Sequence, residues 1–137
     1  MVITKSISFS TGGNTDVIDI TERVQREIKN SPVSSGIITI FVPGATGGLT
    51  TIEFESGLLS DFKGVMEQLI PRRDYRHNLK WGDANAHSHL RASLMGPSLT
   101  VPFTDKELNL GNWQQIVFVD FDIRPRNRNL ILKIIGE

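Results

Sequence analysis

Alternating and continuous apolar runs along the chain predict about seven strands. Ile3, Ile7 and Phe9 lie at even spacing within Val2 to Ser10, which indicates a strand that ends at the Gly12-Gly13-Asn14 turn. Continuous β-branched runs, alternation and turn-bounded apolar stretches predict the others, at residues 37–42, 49–55, 99–103, 105–111, 113–122 and 129–135. Turn-forming residues separate most of these runs, so short turns are expected to join the strands.

Apolar residues at helical spacing predict three helices. Asp19 and Glu22 resemble a capping box at the start of the first helix, which ends at Asn30-Ser31-Pro32. An i, i+3, i+4, i+7 pattern predicts the second helix over residues 58–69, and residues 85–95 form the third. Each of these two patterns is followed by a proline, which stops a helix.

The order of these elements predicts the fold class. Helices do not alternate regularly with strands, so a doubly wound parallel sheet is not expected. We predict an α+β fold, a mainly antiparallel or mixed β-sandwich of half-barrel shape with about three helices. No repeat, low-complexity segment or linker divides the chain, which predicts a single domain over residues 1–137.

Composition narrows the classes of function. The chain has 15 basic and 15 acidic residues, so its overall charge does not favour nucleic acid as a partner. It has no cysteine, which excludes a thiolate nucleophile and cysteine-ligated zinc. The first residues lack the apolar core of a signal peptide, and no apolar run approaches the ~18 residues of a membrane span. A cytoplasmic protein with no membrane partner is expected.

Most candidate chemistry lies between residues 81 and 103. Histidine is the side chain that most often titrates near neutral pH. On a helix, His87 and His89 are separated by ~200°, so their rings point in nearly opposite directions. Asp83, four residues before His87, could hold one imidazole nitrogen and leave the other free as a base. We predict His87, Asp83 and Asn85 as catalytic residues, against the alternative of a hydrogen-bonded structural histidine.

Divalent metals are the predicted cofactors, with zinc or magnesium the two candidates. His77, His87 and His89 form a candidate zinc-binding set, although His77 could equally be a solvated loop residue. Asp120 and Asp122 share one face at the end of a strand and could hold magnesium with a diphosphate. They could instead pair with Arg126 or Arg128, which is the more common arrangement.

Two arginine clusters are candidates for phosphate recognition, because the guanidinium group matches phosphate geometry. One precedes the histidines and includes Arg76. In the other, Arg124, Arg126 and Arg128 have a spacing of two, so an extended backbone would project them to one side. The alternative is a solvated turn, or pairing with acidic residues.

Several motifs together resemble one known family. Asn85-Ala86-His87 is followed by Ala-Ser-Leu-Met-Gly-Pro-Ser-Leu-Thr-Val-Pro at residues 92–102 and Leu-Asn-Leu-Gly-Asn-Trp-Gln at 108–114. The arginine-rich turn before Ile135-Gly136-Glu137 and the glycine turn followed by Thr51-Ile52-Glu53 complete the pattern. Over nearly its whole length the chain resembles the YjbQ-like family, also called the secondary thiamine-phosphate synthase family.

The resemblance implies a β-sandwich-based α+β fold, a homotrimer and a small phosphorylated ligand. It also implies weak thiamine-phosphate synthase activity, which joins hydroxymethylpyrimidine diphosphate to a thiazole phosphate and expels pyrophosphate. The chain departs from the family at Gly44, where many members have the first site histidine of a Pro-His-Thr-Thr-Ala motif. The alternatives are a metal- or phosphate-binding homo-oligomer without turnover, or a purely structural module.

Overall fold

Eight strands and four helices form the computed structural model, which describes residues 1–137. The elements in chain order are β1 Val2–Thr11, β2 Asp16–Asp19, α1 Thr21–Lys29, β3 Gly36–Phe41, β4 Gly47–Ile52, α2 Ser56–Leu69, α3 Arg76–Trp81, α4 Ala86–Met95, β5 Ser98–Thr104, β6 Glu107–Leu108, β7 Gln115–Asp120 and β8 Arg126–Gly136.

The strands form two antiparallel sheets. The larger sheet has the order β1-β8-β3-β5-β6, and the smaller has the order β2-β7-β4. Every pairing in both sheets is antiparallel, and one sheet curls into a half-barrel. The α+β prediction with a mainly antiparallel, half-barrel-like sandwich is therefore confirmed.

The register of β8 decides what the larger sheet buries. Leu130, Leu132 and Ile134 alternate with solvent-facing residues and are fully buried. The same period of two places Arg128 on the buried side, where it is 6% exposed. The strand geometry therefore places the guanidinium group of Arg128 inside the sandwich. Burial of its charge requires a partner of opposite charge there.

The smaller sheet packs against other elements on both faces. Its central strand, β7, is a continuous apolar run that buries side chains on each face. Ile116 and Phe118 belong to the main core between the sheets. Val117 and Val119 point the other way and form a second cluster with Met66 of α2 and with Ala92 of α4. This second cluster seats α4, with its two histidines, on the outer face of the smaller sheet.

The structure contains two elements that the sequence did not predict, and the capping box predicted for the first helix is wrong. The strand β2 and the six-residue helix α3 are additional, since neither carries enough apolar periodicity to be recognised. The capping box does not form: Ile20 is the N-cap residue, and Asp19 Oδ1 accepts from the Thr21 N–H at 3.0 Å. The Ile20 N–H donates to the carbonyl of Ile116 in β7, so the sheet sets the helix start.

None of the four helices has both the length and the apolar character that a bilayer crossing requires.

Candidate functional site

Asn78 organises the segment in front of α4. Its side chain is buried, with Nδ2 donating to the carbonyl of Arg73 at 2.9 Å. Its Oδ1 accepts from the N–H of Ala86, the first residue of α4, at 3.0 Å. One amide therefore ties the arginine-rich loop, α3 and the start of α4 together. The sequence signal for this role is weak, because a lone asparagine in a polar stretch is ordinarily a surface residue.

His77 and His89 meet in the space between α3 and α4. Their ring centroids are 5.0 Å apart, with an angle of 48° between the ring planes. Nδ1 of His77 is buried and has no hydrogen-bond partner. Both rings line a cavity of about 610 Å³, which we call the histidine-pair pocket; its other lining residues are Arg73, Asp74, Tyr75, Arg76, Ala86 and Leu90.

Gly44 lies beside His89. His89 also lines a neighbouring cavity of about 210 Å³ together with Gly44, Ser93 and Pro97. A Cβ atom built on Gly44 would be 3.4 Å from Nη1 of Arg128. The position at which the chain departs from the family motif is therefore adjacent to His89 and to a buried arginine.

Arg128 is held by a buried carboxylate. Its Nε and Nη2 donate to the two oxygens of Asp120 at 2.8 and 2.9 Å, and Nη2 also donates to Thr46 Oγ1 at 2.8 Å. Burial alone would raise the pKa of Asp120, but hydrogen bonds from Arg128 and Thr11 outweigh it and hold the pKa below its ordinary value. The carboxylate is therefore ionised in the folded protein and neutralises the guanidinium.

Arg126 and Arg128 project to one side of β8, as their spacing of two predicts, but they point toward acidic side chains. Arg126 pairs with Asp122 at 3.2 Å, and Arg128 pairs with Asp120. Arg124 precedes β8, is exposed and has no ion pair. These arginines therefore take acidic partners, which was the alternative to a phosphate site. The register of β8 turns Arg126 and Arg128 toward the carboxylates at the end of β7 and just beyond it. Both carboxylates predicted for magnesium thus already contact a guanidinium.

His87 faces a different cavity from His89, as the helical spacing predicts. It is 4% exposed and lines a space of about 360 Å³, which we call the His87 pocket; the other lining residues are Asn14, Thr15, Glu67, Pro71, Arg72 and Arg91. Burial, together with the positive charges of Arg91 and Arg72, lowers the pKa of His87 to about 4 despite the Asp122 carboxylate. The imidazole is therefore neutral near pH 7.

The predicted Asp83–His87 pair does not form. Asp83 is exposed and precedes α4, which begins only at Ala86, so helical i, i+4 spacing does not relate the two residues. Nδ1 of His87 has no hydrogen-bond partner. Asn85 lies directly before the helix, where its carbonyl accepts from the N–H groups of Ser88 and His89. Asp83 and Asn85 line neither of the two histidine cavities.

The three histidines do not form one metal-binding group. His77 and His89 share a pocket, whereas His87 lies on the other side of α4. No cluster of three or more histidine or acidic side chains is placed to hold a metal ion. A structural zinc site ordinarily takes four protein ligands and a catalytic site three, so the histidine pair alone does not complete a zinc site within one chain.

Sequence comparisons place the chain among proteins of unassigned function. The family model described as UPF0047 protein YjbQ-like matches residues 5–137. A UPF0047 protein of Archaeoglobus fulgidus is 38% identical over 128 residues, which cover 93% of this chain and 97% of the relative. A UPF0047 protein of Methanothermobacter thermautotrophicus is 37% identical over 137 residues, covering 99% of this chain and 94% of the relative.

Solved structures agree with the sequence relatives. A YbjQ-like protein of unknown function from Sulfolobus solfataricus superposes with a TM-score of 0.93 at 33% identity, covering 100% of this chain and 99% of that one. A hypothetical protein from Aeropyrum pernix gives a TM-score of 0.90 at 32% identity, with coverages of 98% and 99%. The whole chain therefore has the architecture of these proteins.

Proposed function

The chain belongs to the UPF0047 YjbQ-like family, and from its histidine-pair pocket we propose that it binds a small phosphorylated ligand and acts as a weak thiamine-phosphate synthase-like enzyme. The observation that carries this proposal is the meeting of His77 and His89 in a cavity that Arg73 and Arg76 also line. Two imidazoles and two guanidinium groups supply the donors that a phosphate or diphosphate group requires.

The pocket also suits the organic part of such a ligand. Tyr75, Ala86 and Leu90 add apolar surface to its lining. The Arg73 guanidinium lies 4.6 Å from the centroid of the Tyr75 ring, so a flat heterocycle could stack in the same way. Its volume of about 610 Å³ is within the range of small-molecule sites.

In the proposed reaction, the thiazole nitrogen attacks the methylene carbon of the pyrimidine diphosphate. The new C–N bond forms as the C–O bond to the diphosphate breaks, and the electron pair leaves with pyrophosphate. The protein need not supply a nucleophile. Arg76 and Arg73 would neutralise the leaving group, and the imidazole N–H groups of His77 and His89 would donate hydrogen bonds to its oxygens.

This assignment differs from the one expected from the Asp83–His87 pair. Asp83 does not contact His87, so no oriented acid/base pair is available there. The roles of positioning and charge neutralisation are therefore proposed for the pocket in which charged and aromatic side chains converge.

Thiamine phosphate formation by the purified protein tests the proposal. We expect a slow but enzyme-dependent rate that falls at least about tenfold in His89→Asn and in Arg76→Gln. Arg26→Gln is the matched control, because Arg26 is exposed on α1 and lines neither pocket. Equal trace rates in all four proteins would refute the enzymatic proposal. A rate lost in His87→Gln and kept in His89→Asn would refute the choice of pocket.

A second candidate is a phosphate-binding oligomer without turnover. It is favoured by the absence of an acid/base pair at His87 and by the glycine at the family's histidine position. It predicts saturable binding of the pyrimidine diphosphate to the histidine-pair pocket with no product. Binding and turnover measured on the same preparation distinguish the two candidates.

We also propose that the chain assembles as a homotrimer, as the resemblance implies. Large apolar side chains remain exposed on the helical side of the single chain: Leu69 (61%), Leu79 (74%), Trp81 (66%) and Leu94 (63%). Large apolar side chains left exposed on three consecutive helices are candidates for an association surface. Light scattering coupled to size exclusion tests the assembly, and a monomeric mass at micromolar concentration would contradict it.

A further inference from the structure

Arg91 is a buried cation that makes no ion pair. Its side chain is 6% exposed, and none of the three ion pairs in the structure includes it. Nε and Nη2 both donate to the carbonyl of Ile70, at 2.9 and 2.8 Å, and Nη1 donates to Thr15 Oγ1 at 3.2 Å. These acceptors are neutral, and the carboxylate that acts on the Arg91 charge, that of Glu67, is exposed and not in ion-pair contact with it. A buried charge of this kind is costly unless an anion accompanies it.

His87 is a second incomplete group in the same place. It is 4% exposed, lies one helical turn before Arg91 on α4, and has an unpartnered Nδ1. Because buried polar atoms are ordinarily hydrogen-bonded, this imidazole nitrogen is free to take a water or a ligand as its partner. Both incomplete groups line one cavity, the His87 pocket.

The lining of this cavity favours a small anion over an organic molecule. None of its seven lining residues is hydrophobic. Arg72 adds a second, exposed guanidinium, whereas Glu67 is the sole carboxylate of the lining. The lining therefore carries two positive charges, one amide and one hydroxyl but only one negative charge. This balance of charge favours the binding of an anion.

The turn between β1 and β2 forms one wall of the His87 pocket. Gly13, Asn14 and Thr15 have consecutive positive φ angles of 70°, 54° and 64°. A β-branched residue is rare in this region of backbone conformation, so Thr15 is held there against its preference. The N–H groups of Asn14 and Thr15 donate to the carbonyls of Asp122 and Asp120, which keeps the Thr15 hydroxyl on Arg91.

We propose that the His87 pocket is a binding site for a small phosphate-class oxyanion, separate from the histidine-pair pocket. The Arg91 and Arg72 guanidinium groups would hold two of its oxygens, and the His87 imidazole would hold a third. The site takes either a free ion or the terminal phosphate of a larger molecule, since both present the same group to these side chains.

Binding at this site is coupled to the proton of His87. The charged groups around this imidazole are Arg91 from α4, Arg72 and Glu67 from the α2 side, and Asp122 after β7. An added anion stabilises the imidazolium form and raises the pKa of His87 from about 4. For an ion that does not itself titrate, affinity therefore increases as the pH falls toward the raised pKa.

Imidazole NMR during a titration tests the site on the full chain. Sulfate is the first probe because it has the shape of phosphate and stays a dianion across the pH range. We expect saturable shifts of the His87 resonances, an affinity that is higher at pH 6 than at pH 8, and a loss of about tenfold in Arg72→Gln. Arg26→Gln is the control for removal of one exposed positive charge and should bind as the wild type does.

Three results would overturn the proposal. They are His87 resonances that do not move at tens of millimolar sulfate, shifts confined to His77 and His89, and equal affinities in Arg72→Gln and Arg26→Gln. Inorganic phosphate and phenyl phosphate are then compared. Binding of the first alone assigns the site to the free ion, and binding of both assigns it to a phosphate group carried by a larger molecule.

Discussion

Arg128 and Asp120 form a two-point ion pair inside the sandwich, with N–O distances of 2.8 and 2.9 Å. Asp120 is fully buried and Arg128 nearly so. The pair joins β8 of the larger sheet to β7 of the smaller one, so it ties the two layers together beneath Gly44. Of the two ion pairs that β8 makes with Asp120 and Asp122, it is the one in which both partners are buried.

Removal of one partner should be strongly destabilising. We expect Asp120→Asn to lower the free energy of unfolding by about 3–5 kcal/mol, because it leaves a buried guanidinium without its carboxylate. The matched control is Glu107→Gln, which breaks the exposed Lys29–Glu107 pair and should change stability by less than about 1 kcal/mol. Urea unfolding at one fixed protein concentration measures both. Similar effects of the two substitutions would contradict the structural role of the buried pair.

The buried His87 should make stability depend on pH. The unfolded chain takes up a proton near pH 6.5, whereas folded His87 does so only near pH 4. Its contribution is therefore present above about pH 6.5 and is lost as the pH falls toward 4. The shift corresponds to a loss of ~3 kcal/mol at most. In anion-poor buffer, the free energy of unfolding should fall between pH 7 and pH 4 in the wild type and fall less steeply in His87→Gln. The same dependence on pH in both proteins would contradict a buried, neutral imidazole.

Gly13 and Gly64 should respond oppositely to alanine. A Cβ on Gly13 would lie 2.5 Å from the carbonyl oxygen of Arg124, at a φ of +70° that disfavours any side chain. We expect Gly13→Ala to cost ~2 kcal/mol or more. Gly64 lies inside α2 with nothing near its Cβ position, so Gly64→Ala should stabilise by up to ~1 kcal/mol. Thermal unfolding compares the two, and a neutral Gly13→Ala would show that the turn is not constrained.

The sequence predicted those parts of the site that depend on local periodicity. The third helix and its helical spacing correctly placed His87 and His89 in different surroundings. This conclusion needs only the repeat of a single element.

The remaining features depend on contacts between distant elements. The meeting of His77 with His89 requires α3, which is too short to show a periodic pattern, and the amide of Asn78 that seats it. Asp83 was expected at helical spacing from His87, but the backbone leaves the helix before reaching it. The pocket around Arg91 joins three separate segments, residues 14–15, 67–72 and 87–91, and no local pattern brings these together.

Calorimetric titration with hydroxymethylpyrimidine diphosphate measures whether a phosphorylated ligand binds beside His77 and His89. We expect saturable binding by the wild type, the same affinity in Arg26→Gln, and an affinity at least about tenfold weaker in Arg76→Gln. No binding by the wild type, or equal affinity in Arg76→Gln and Arg26→Gln, would contradict this expectation.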